Sequence, residues 1–397
     1  ESQPYARLIH CKTCGSDGEY PLNSIDIDNL RLPGSAALSQ ARALERITTG
    51  EEESREVIQK ALEVYPTRPL YILSTLINKA QGLDLSPQNQ RYLFALLLSI
   101  CDEGNTLWPW PNSRLRPRQL TLPPQYRENN LWLALENAVS QWGNVYHTPV
   151  PLTHWPDLPP SSGGICIYPG RIRALFPLSQ EIQFQGIIAR IPRPNQAFWT
   201  LSAIWSGWLW GRDAVQPLKS ALERRRYDWT WHLDALQRTL TLLNQSLPAG
   251  VPFFAALPEV NAGFLSAALG AGQLAGLTLS GFSLRRDEEE AQVTWKTGVP
   301  VSSHPEHSPL DSARTAMLVY LQERGEPSAY LQMYAAAWLG LTNGGHIPAG
   351  LEHTPADLIV EKQAIIHKAL SDPRSFQRLG PPSTTFETGW WDLADPV

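Results

Sequence analysis

The 397-residue sequence is poor in sulfur, with 4 cysteines and 2 methionines, and charged residues make up only 18% of it. Four cysteines in so long a chain build no disulfide framework of the kind that staples small secreted domains. No run of about 18 uncharged apolar residues occurs. The nearest, Phe198 to Gly211, is shorter and stops at Arg212 and Asp213, so no membrane span is expected. Positive charge is also scarce: 33 Lys and Arg against 38 Asp and Glu give a net charge of −5. That excludes a broadly basic surface and leaves any nucleic-acid contact to a local patch. The chain starts at Glu1 with neither a methionine nor a signal-like segment, as expected of a processed or cut chain. A cytoplasmic setting is the expectation.

Tryptophan and proline are abundant, at 15 and 34, against a hydrophobic content of 43%. The composition is that of an ordinary globular protein, and the length implies two or three domains. The prolines are spread through connections, which should be stiff.

The N-terminal third reads as helices. Leu38–Ile47, Ser54–Val64, Leu70–Ala80 and Pro87–Cys101 carry apolar residues at helical spacing, separated by turn signals such as Tyr65-Pro66 and Gly82. After the loop WPWPNSRLRPRQLTLPPQYRENN, an amphipathic helix is expected over Leu131–Trp142. Arg114, Arg116, Arg118 and Arg127 make this loop the one dense positive stretch of the N-terminal half. It is either a proline-stiffened loop with solvated arginines or a phosphate-contacting loop.

From Gly163 the period changes. GGICIYPG reads as a buried strand and EIQFQGIIA as a second one. Helices follow over Ala197–Leu209, Val215–Arg226 and Trp229–Leu247. GVPFFAALPE is then a strand, VNAGFLSAALGAGQLAG a helix, and LTLSGFSLRR with EAQVTWKTG two strands joined by the acidic turn DEEE. Strands alternating with helices imply a parallel sheet, whereas two strands joined by so short a turn are antiparallel. The expected class is α/β, a parallel sheet closing in an antiparallel hairpin. This order resembles that of the second half of a class I methyltransferase domain. In open α/β sheets ligands lie beyond the carboxyl ends of the strands, which puts the exit of EIQFQGIIA where chemistry would be.

Several motifs carry a resemblance: IPRPNQAFWTLSAIWSGWLWG, RRRYDWTWH, GFLSAALGAGQLAGLTLSGFSLR followed by AQVTWK, and EVYPTRPLY with YRENNLWLALENA. With these the chain, over roughly Arg7 to Gly298, resembles the large bacterial DNA-methylase-like proteins that combine a class I fold with zinc-ribbon and helical insertions. The resemblance implies S-adenosylmethionine as cofactor, DNA as partner and a catalytic loop after the strand that ends near Arg190. In such amino-methyltransferases that loop reads Asp/Asn/Ser-Pro-Pro-Tyr/Phe; its polar first residue accepts a hydrogen bond from the target amine and its aromatic stacks on the flipped base. Here the aligned run is Arg190-Ile191-Pro192-Arg193-Pro194-Asn195. Arginine accepts no hydrogen bond, so the motif reads as degenerate. The candidate catalytic residues are Pro192, Asn195 and Phe198; Arg193, Gln196 and Trp199, with Arg114, Arg116 and Arg118, are the candidate substrate contacts. The Trp-rich run is expected to be mostly core, with Phe198 and Trp199 facing a cleft.

GAGQLAG, Gly270–Gly276, offers glycines but ends an alanine-rich helix, whereas a phosphate-cradling turn follows a strand and opens a helix. The resemblance places the cofactor's Gly-rich segment, and a second metal knuckle, before Glu1. HCKTCG supplies one knuckle: Cys11 and Cys14 at the spacing of zinc ligands, with Gly15 for the turn. Zinc, or a reduced surface pair, is the expectation; Cys101 and Cys166 read as core cysteines. HPEH at 304–307 reads as solvated loop, and Arg224–Arg226 as a helix end or a phosphate contact.

After a linker at 299–309, helices over Ala313–Arg324, Pro327–Leu339 and Thr354–Leu370 precede two strand-like runs in FQRLGPPSTTFETGWWDL. Helices followed by a hairpin resemble a winged helix. AYLQMYAAAWLGL lacks Arg and Lys, which favours partner docking over a helix in the major groove. The expected organisation is a zinc-ribbon-like half at 1–34, a helical insertion at 35–150, a methyltransferase-like α/β region at 151–298 and a winged-helix-like module at 299–397. Two functions fit: a degenerate methylase-like protein that binds nucleic acid or a partner, serving as a scaffold subunit, or an active DNA amino-methyltransferase whose cofactor half lies upstream or on another chain.

Overall fold

Capping side chains and prolines fix where the helices of this chain begin. Ser86 accepts a hydrogen bond from Asn89 N, 3.3 Å away, with Pro87 in the first turn. Asp228 accepts from Trp231 N at 2.8 Å and Asn261 from Phe264 N at 2.9 Å. Each satisfies one of the backbone donors that a helix start leaves unpaired. The computed structural model describes residues 3–11, 13–30, 36–48, 52–111, 119–143, 150–178, 182–194, 197–222, 228–258, 260–285, 290–298, 305–347, 355–380 and 386–395. The chain divides into two units, Glu1–Val150 with Asn195–Arg226, and Pro151–Pro194 with Tyr227–Val397.

The first unit opens with an antiparallel hairpin, β1 (Ala6–His10) and β2 (Asp17–Pro21), and a short helix α1 (Ser24–Leu30). The helices α2 (Ala36–Glu45), α3 (Glu52–Leu62), α4 (Thr67–Gln81), α5 (Pro87–Glu103) and α6 (Leu131–Gly143) follow where the apolar periodicity places them. They are joined by α7 (Ala197–Trp210), which is hydrophobic all round and correspondingly buried. Trp205 and Trp208 of α7 lie in one core with Tyr65, Leu70, Leu73 and Ile100. Their indole N–H groups donate to Tyr65 Oη (2.6 Å) and to the Ala43 carbonyl (3.1 Å), so neither is buried without a partner. Where a single helix was expected over Val215–Arg226, the described part is α8 (Arg212–Val215), a 3-10 turn at Gln216–Leu218 and α9 (Lys219–Leu222); Arg224–Arg226 lie outside the described residues. Pro217 causes the break, because it lacks the N–H that continues a helix.

The second unit begins with β3 (Leu152–His154) and β4 (Ile165–Ile167), a two-stranded parallel sheet of their own. The GGICIYPG run, expected as a buried strand, is therefore half out of the core: Ile165 is 53% and Ile167 40% exposed. Each strand has one neighbour among the described residues, and alternate side chains point outward. EIQFQGIIA pairs only through β5 (Ile187–Arg190). The helix α10 (Trp229–Ser246) leads to β6 (Pro252–Leu257), then α11 (Ala262–Leu274), β7 (Thr278–Arg285) and β8 (Glu290–Lys296).

These strands form a four-stranded sheet of order β5-β6-β8-β7, with β5 parallel to β6 and the last hairpin antiparallel. The mixed α/β class and the terminal hairpin are thus as expected. Phe253, Ala255, Leu257, Val293 and Trp295 turn one face into a core with Leu233 and Leu240 of α10 and Leu265 and Leu269 of α11. On the opposite face Ile188 is 88% exposed. The Asn244 side chain closes the carboxyl end of α10, donating to the carbonyls of Ala275 and Gly298 and accepting from Gly298 N.

The chain finishes with α12 (Pro309–Arg324), β9 (Ser328–Ala329), α13 (Tyr330–Asn343), α14 (Pro355–Leu370), β10 (Phe376–Leu379) and β11 (Trp390–Leu393). The three strands make a sheet of order β10-β11-β9. Met333, Tyr334, Ala337 and Trp338 of α13 are buried in the same core as α11, and Ser266 and Tyr334 hydroxyls meet at 2.8 Å. No helix among the described residues is long and apolar enough to cross a membrane.

Candidate functional site

The parallel register of β5 and β6 sets their carboxyl ends side by side. Ile187 to Arg190 pair with Phe253 to Ala256, and Ile191 N extends the ladder to the Ala256 carbonyl at 3.0 Å. Ile191 is buried, and the chain then leaves the sheet through Pro192, Arg193 and Pro194. On the neighbouring strand the exit runs through Val260 to the cap residue Asn261, so the start of α11 faces the same edge.

At this edge the aromatic side chains form layers. The Arg193 guanidinium lies over the Trp229 ring, 5.7 Å from its centroid, and Trp229 stacks on Phe264 at 5.6 Å with 16° between the planes. Gly263 is what permits the stack: a Cβ there would come within 2.2 Å of the Trp229 ring. A cation over an indole face is attracted by the ring quadrupole, by about 0.5–2 kcal/mol depending on exposure. The imidazole of His232 completes the cluster, 6.1 Å from Trp229 and 5.5 Å from Phe264. His232 is 5% exposed, and its Nε2 has no hydrogen-bond partner among the described residues. Burial lowers its pKa to about 4, so the ring is neutral at physiological pH.

The arrangement has a donor but few acceptors, and its rings pack on one another, with Phe264 fully buried. Arg193 donates only. Arg190, at the place where the resembled family has its acceptor, is exposed. Pro192 and Arg193 stand at this edge. Asn195, Gln196, Arg114, Arg116 and Arg118 lie outside the described residues. Phe198 and Trp199 belong to the helical unit, where their rings meet at 5.6 Å and Phe198 packs against Trp205 at 6.0 Å. Trp229, His232, Gly263 and Phe264 were not singled out by sequence reasoning. The signal was there in RRRYDWTWH, where Asp228 caps the helix and thereby fixes Trp229 at its first turn.

The glycines of GAGQLAG cradle nothing. Cβ atoms at Gly270 and Gly272 would lie 3.1 Å from Leu233 Cδ1 and 2.8 Å from the Trp295 ring, so both serve close packing inside α11. The residues at these glycines do not fit S-adenosylmethionine. Cys11 and Cys14 flank the β1–β2 turn, where Gly15 N bonds the Cys11 carbonyl and Cys11 N the Ser16 carbonyl. Gly15 takes φ of +73°, the left-handed turn that glycine allows. Among the described residues no group of three or more His, Cys, Asp or Glu converges. The two thiols supply half the ligands of a tetrahedral zinc site. Cys101 is buried, as expected, and its thiol pKa is pushed up by burial; Cys166 is half-buried, its sulfur 3.5 Å from the Asp157 carbonyl.

No protein-family model, curated protein or solved structure matches this chain.

Proposed function

We propose that this chain is a DNA-methylase-like protein in which the sheet edge binds nucleic acid without transferring a methyl group. The observation that carries the reading is the Arg193–Trp229–Phe264 stack at the carboxyl ends of a parallel pair, β5 and β6, that continues into a reversed hairpin. The strand order is that of the substrate-side half of a class I methyltransferase sheet, and the edge is where such folds bind ligands. A guanidinium carries N–H donors of the kind that meet a phosphate or the acceptor edge of a base. Methyl transfer to an amine needs an acceptor at that place, and Arg190 and Arg193 offer none.

The last six elements fit the same reading as a winged-helix-like module turned to structural or partner-docking use. The apolar helix α13 is core, and the outward residues of α14, Asp357, Val360, Glu361, Ala364 and Lys368, lack the basic character of a groove-reading helix. Cys11 and Cys14 would contribute to zinc together with a second pair supplied from elsewhere.

The test is fluorescence anisotropy with labelled single- and double-stranded oligonucleotides, alongside calorimetric titration with S-adenosylmethionine. The reading expects salt-sensitive oligonucleotide binding that Arg193→Gln weakens about tenfold, and no heat from the cofactor. Cofactor heat with methyl incorporation into DNA, or oligonucleotide binding indifferent to Arg193, sinks it. A second reading, an active amino-methyltransferase completed by a cofactor half, is favoured by one observation. The outer side of β5 has no strand beside it among the described residues, where a class I sheet continues.

A further inference from the structure

Helix α6 carries more apolar surface than its own unit covers. Leu131 and Ala138 are buried, and Ala134 and Leu135 pack against the same core. Beside them Trp132 is 60%, Val139 54% and Trp142 58% exposed. Trp132, Leu135, Val139 and Trp142 fall in one stripe along the helix, at successive steps of three, four and three residues. That is the spacing of the a and d positions of a coiled coil, a narrow seam that fits another helix.

The polar ends of both indoles are already occupied. Trp132 Nε1 donates to Glu136 Oε1 at 2.9 Å, and Trp142 Nε1 to Ser99 Oγ at 3.1 Å. A partner that covers the rings therefore strands no buried donor, and it has only apolar surface to bring.

The order of the side chains decides the occupant. Read from either end the stripe is the same: a large ring, two aliphatic side chains, a large ring. A two-fold interface sets one patch against itself, so that residue i meets j and j meets i. Antiparallel pairing about Asn137, the midpoint of the stripe, does this for all four positions. A foreign partner would impose no such symmetry on the sequence. Area sets the strength. Two indoles of up to about 250 Å² each, more than half exposed, leave about 300 Å² uncovered per copy, and Val139 brings the face to roughly half of the about 800 Å² that a partner gives to a standard interface. That area fits a reversible dimer.

We propose that α6 is the contact face of a reversible two-fold dimer of this chain, a second copy lying antiparallel on it with Trp132 against the partner's Trp142 and Leu135 against the partner's Val139. The inference stands apart from the methylase reading, because α6 belongs to the helical unit and not to the β5–β6 edge.

Sedimentation velocity of the full chain, from micromolar to submillimolar concentration, should show a monomer–dimer equilibrium. Trp132→Glu and Trp142→Lys, both at residues more than half exposed, should keep the parent's circular dichroism and each weaken the dimer about tenfold. Mixed together, the two variants should recover it, since antiparallel pairing sets the new carboxylate against the new amine. Ile188→Lys, on β5 in the other unit, should leave association unchanged. A chain that stays monomeric throughout overturns the proposal. So does association that is indifferent to the α6 substitutions or lost with Ile188→Lys, and so does a mixture no tighter than either variant alone. A monomer that binds a single-stranded oligonucleotide through Trp132 would assign the face to nucleic acid instead and overturn the dimer.

Discussion

The indole N–H of Trp205 donates to the hydroxyl oxygen of Tyr65 at 2.6 Å, and Tyr65 in turn donates to the Cys101 carbonyl at 3.0 Å. Three segments separated by long stretches of sequence are joined through one buried oxygen. Tyr65→Phe removes it and leaves the indole donor in the core without a partner, which costs about 1–3 kcal/mol. Urea unfolding followed by circular dichroism should show a loss of that size. A variant as stable as the parent would mean that the bond is not formed.

Gly263→Ala asks whether the layered edge is held by the missing side chain. The added methyl would overlap the Trp229 ring, so the indole must leave Phe264 and Arg193. A shift in tryptophan emission, with a loss of oligonucleotide affinity comparable to that of Arg193→Gln, is the expected result. Unchanged emission would show that the stack tolerates a methyl group.

His232 makes stability depend on pH in a definite direction. Its pKa is about 4 in the folded chain against an ordinary 6.5. Below pH 6.5 the unfolded chain takes up a proton that the folded chain refuses until about pH 4, so stability declines as pH falls across that window. The difference corresponds to roughly 3 kcal/mol at most. His346 and His367, also lowered by burial, act in the same direction. His232→Leu should flatten part of the decline in urea midpoints between pH 7 and pH 5; identical slopes in the two proteins would refute the assignment.

Cys14 should be the most readily alkylated thiol. Its pKa is lowered to about 7, first by the Ser16 hydroxyl 3.2 Å from the sulfur and then by the Ser16 backbone. Iodoacetamide labelling should rise with a midpoint near pH 7 at Cys14, while buried Cys101 stays unmodified in the native chain. Ser16→Ala should move the midpoint upward, as mapped by peptide mass spectrometry. Equal labelling of Cys14 and Cys101 would contradict both environments.

What could be read before folding was mostly local. Ser86 and Pro87 announce α5, Asn261 announces α11, and alternation in AQVTWK announces β8, because caps and side-chain periodicity act within a few residues. The parallel β5–β6 pair followed by the reversed hairpin was legible from the order of elements and the shortness of DEEE. What escaped depends on distant partners. The segments LTH and Ser328-Ala329 are too short to announce themselves, yet each finds a neighbouring strand. EIQFQG alternates as a strand should, but only IIAR has β6 beside it. The burial of Trp205 and Trp208 was foreseen, whereas their partners Tyr65 and Ala43 were not, since periodicity tells that a face is covered and not by what. The same holds for the candidate site: the loop after Arg190 was marked from the sequence, but the Trp229 and Phe264 rings near Arg193 come from two later helices.

A four-residue strand with no strand on its far side among the described residues is a seam open to a neighbour. A strand edge of this kind can take up another extended chain, and Ile188, 88% exposed, would offer it something greasy to lie against. In concentrated solution two copies present each other with the same seam. Its brevity and the charge of Arg190 at its end keep such unions weak, so the handling of this protein should turn on concentration before it turns on heat.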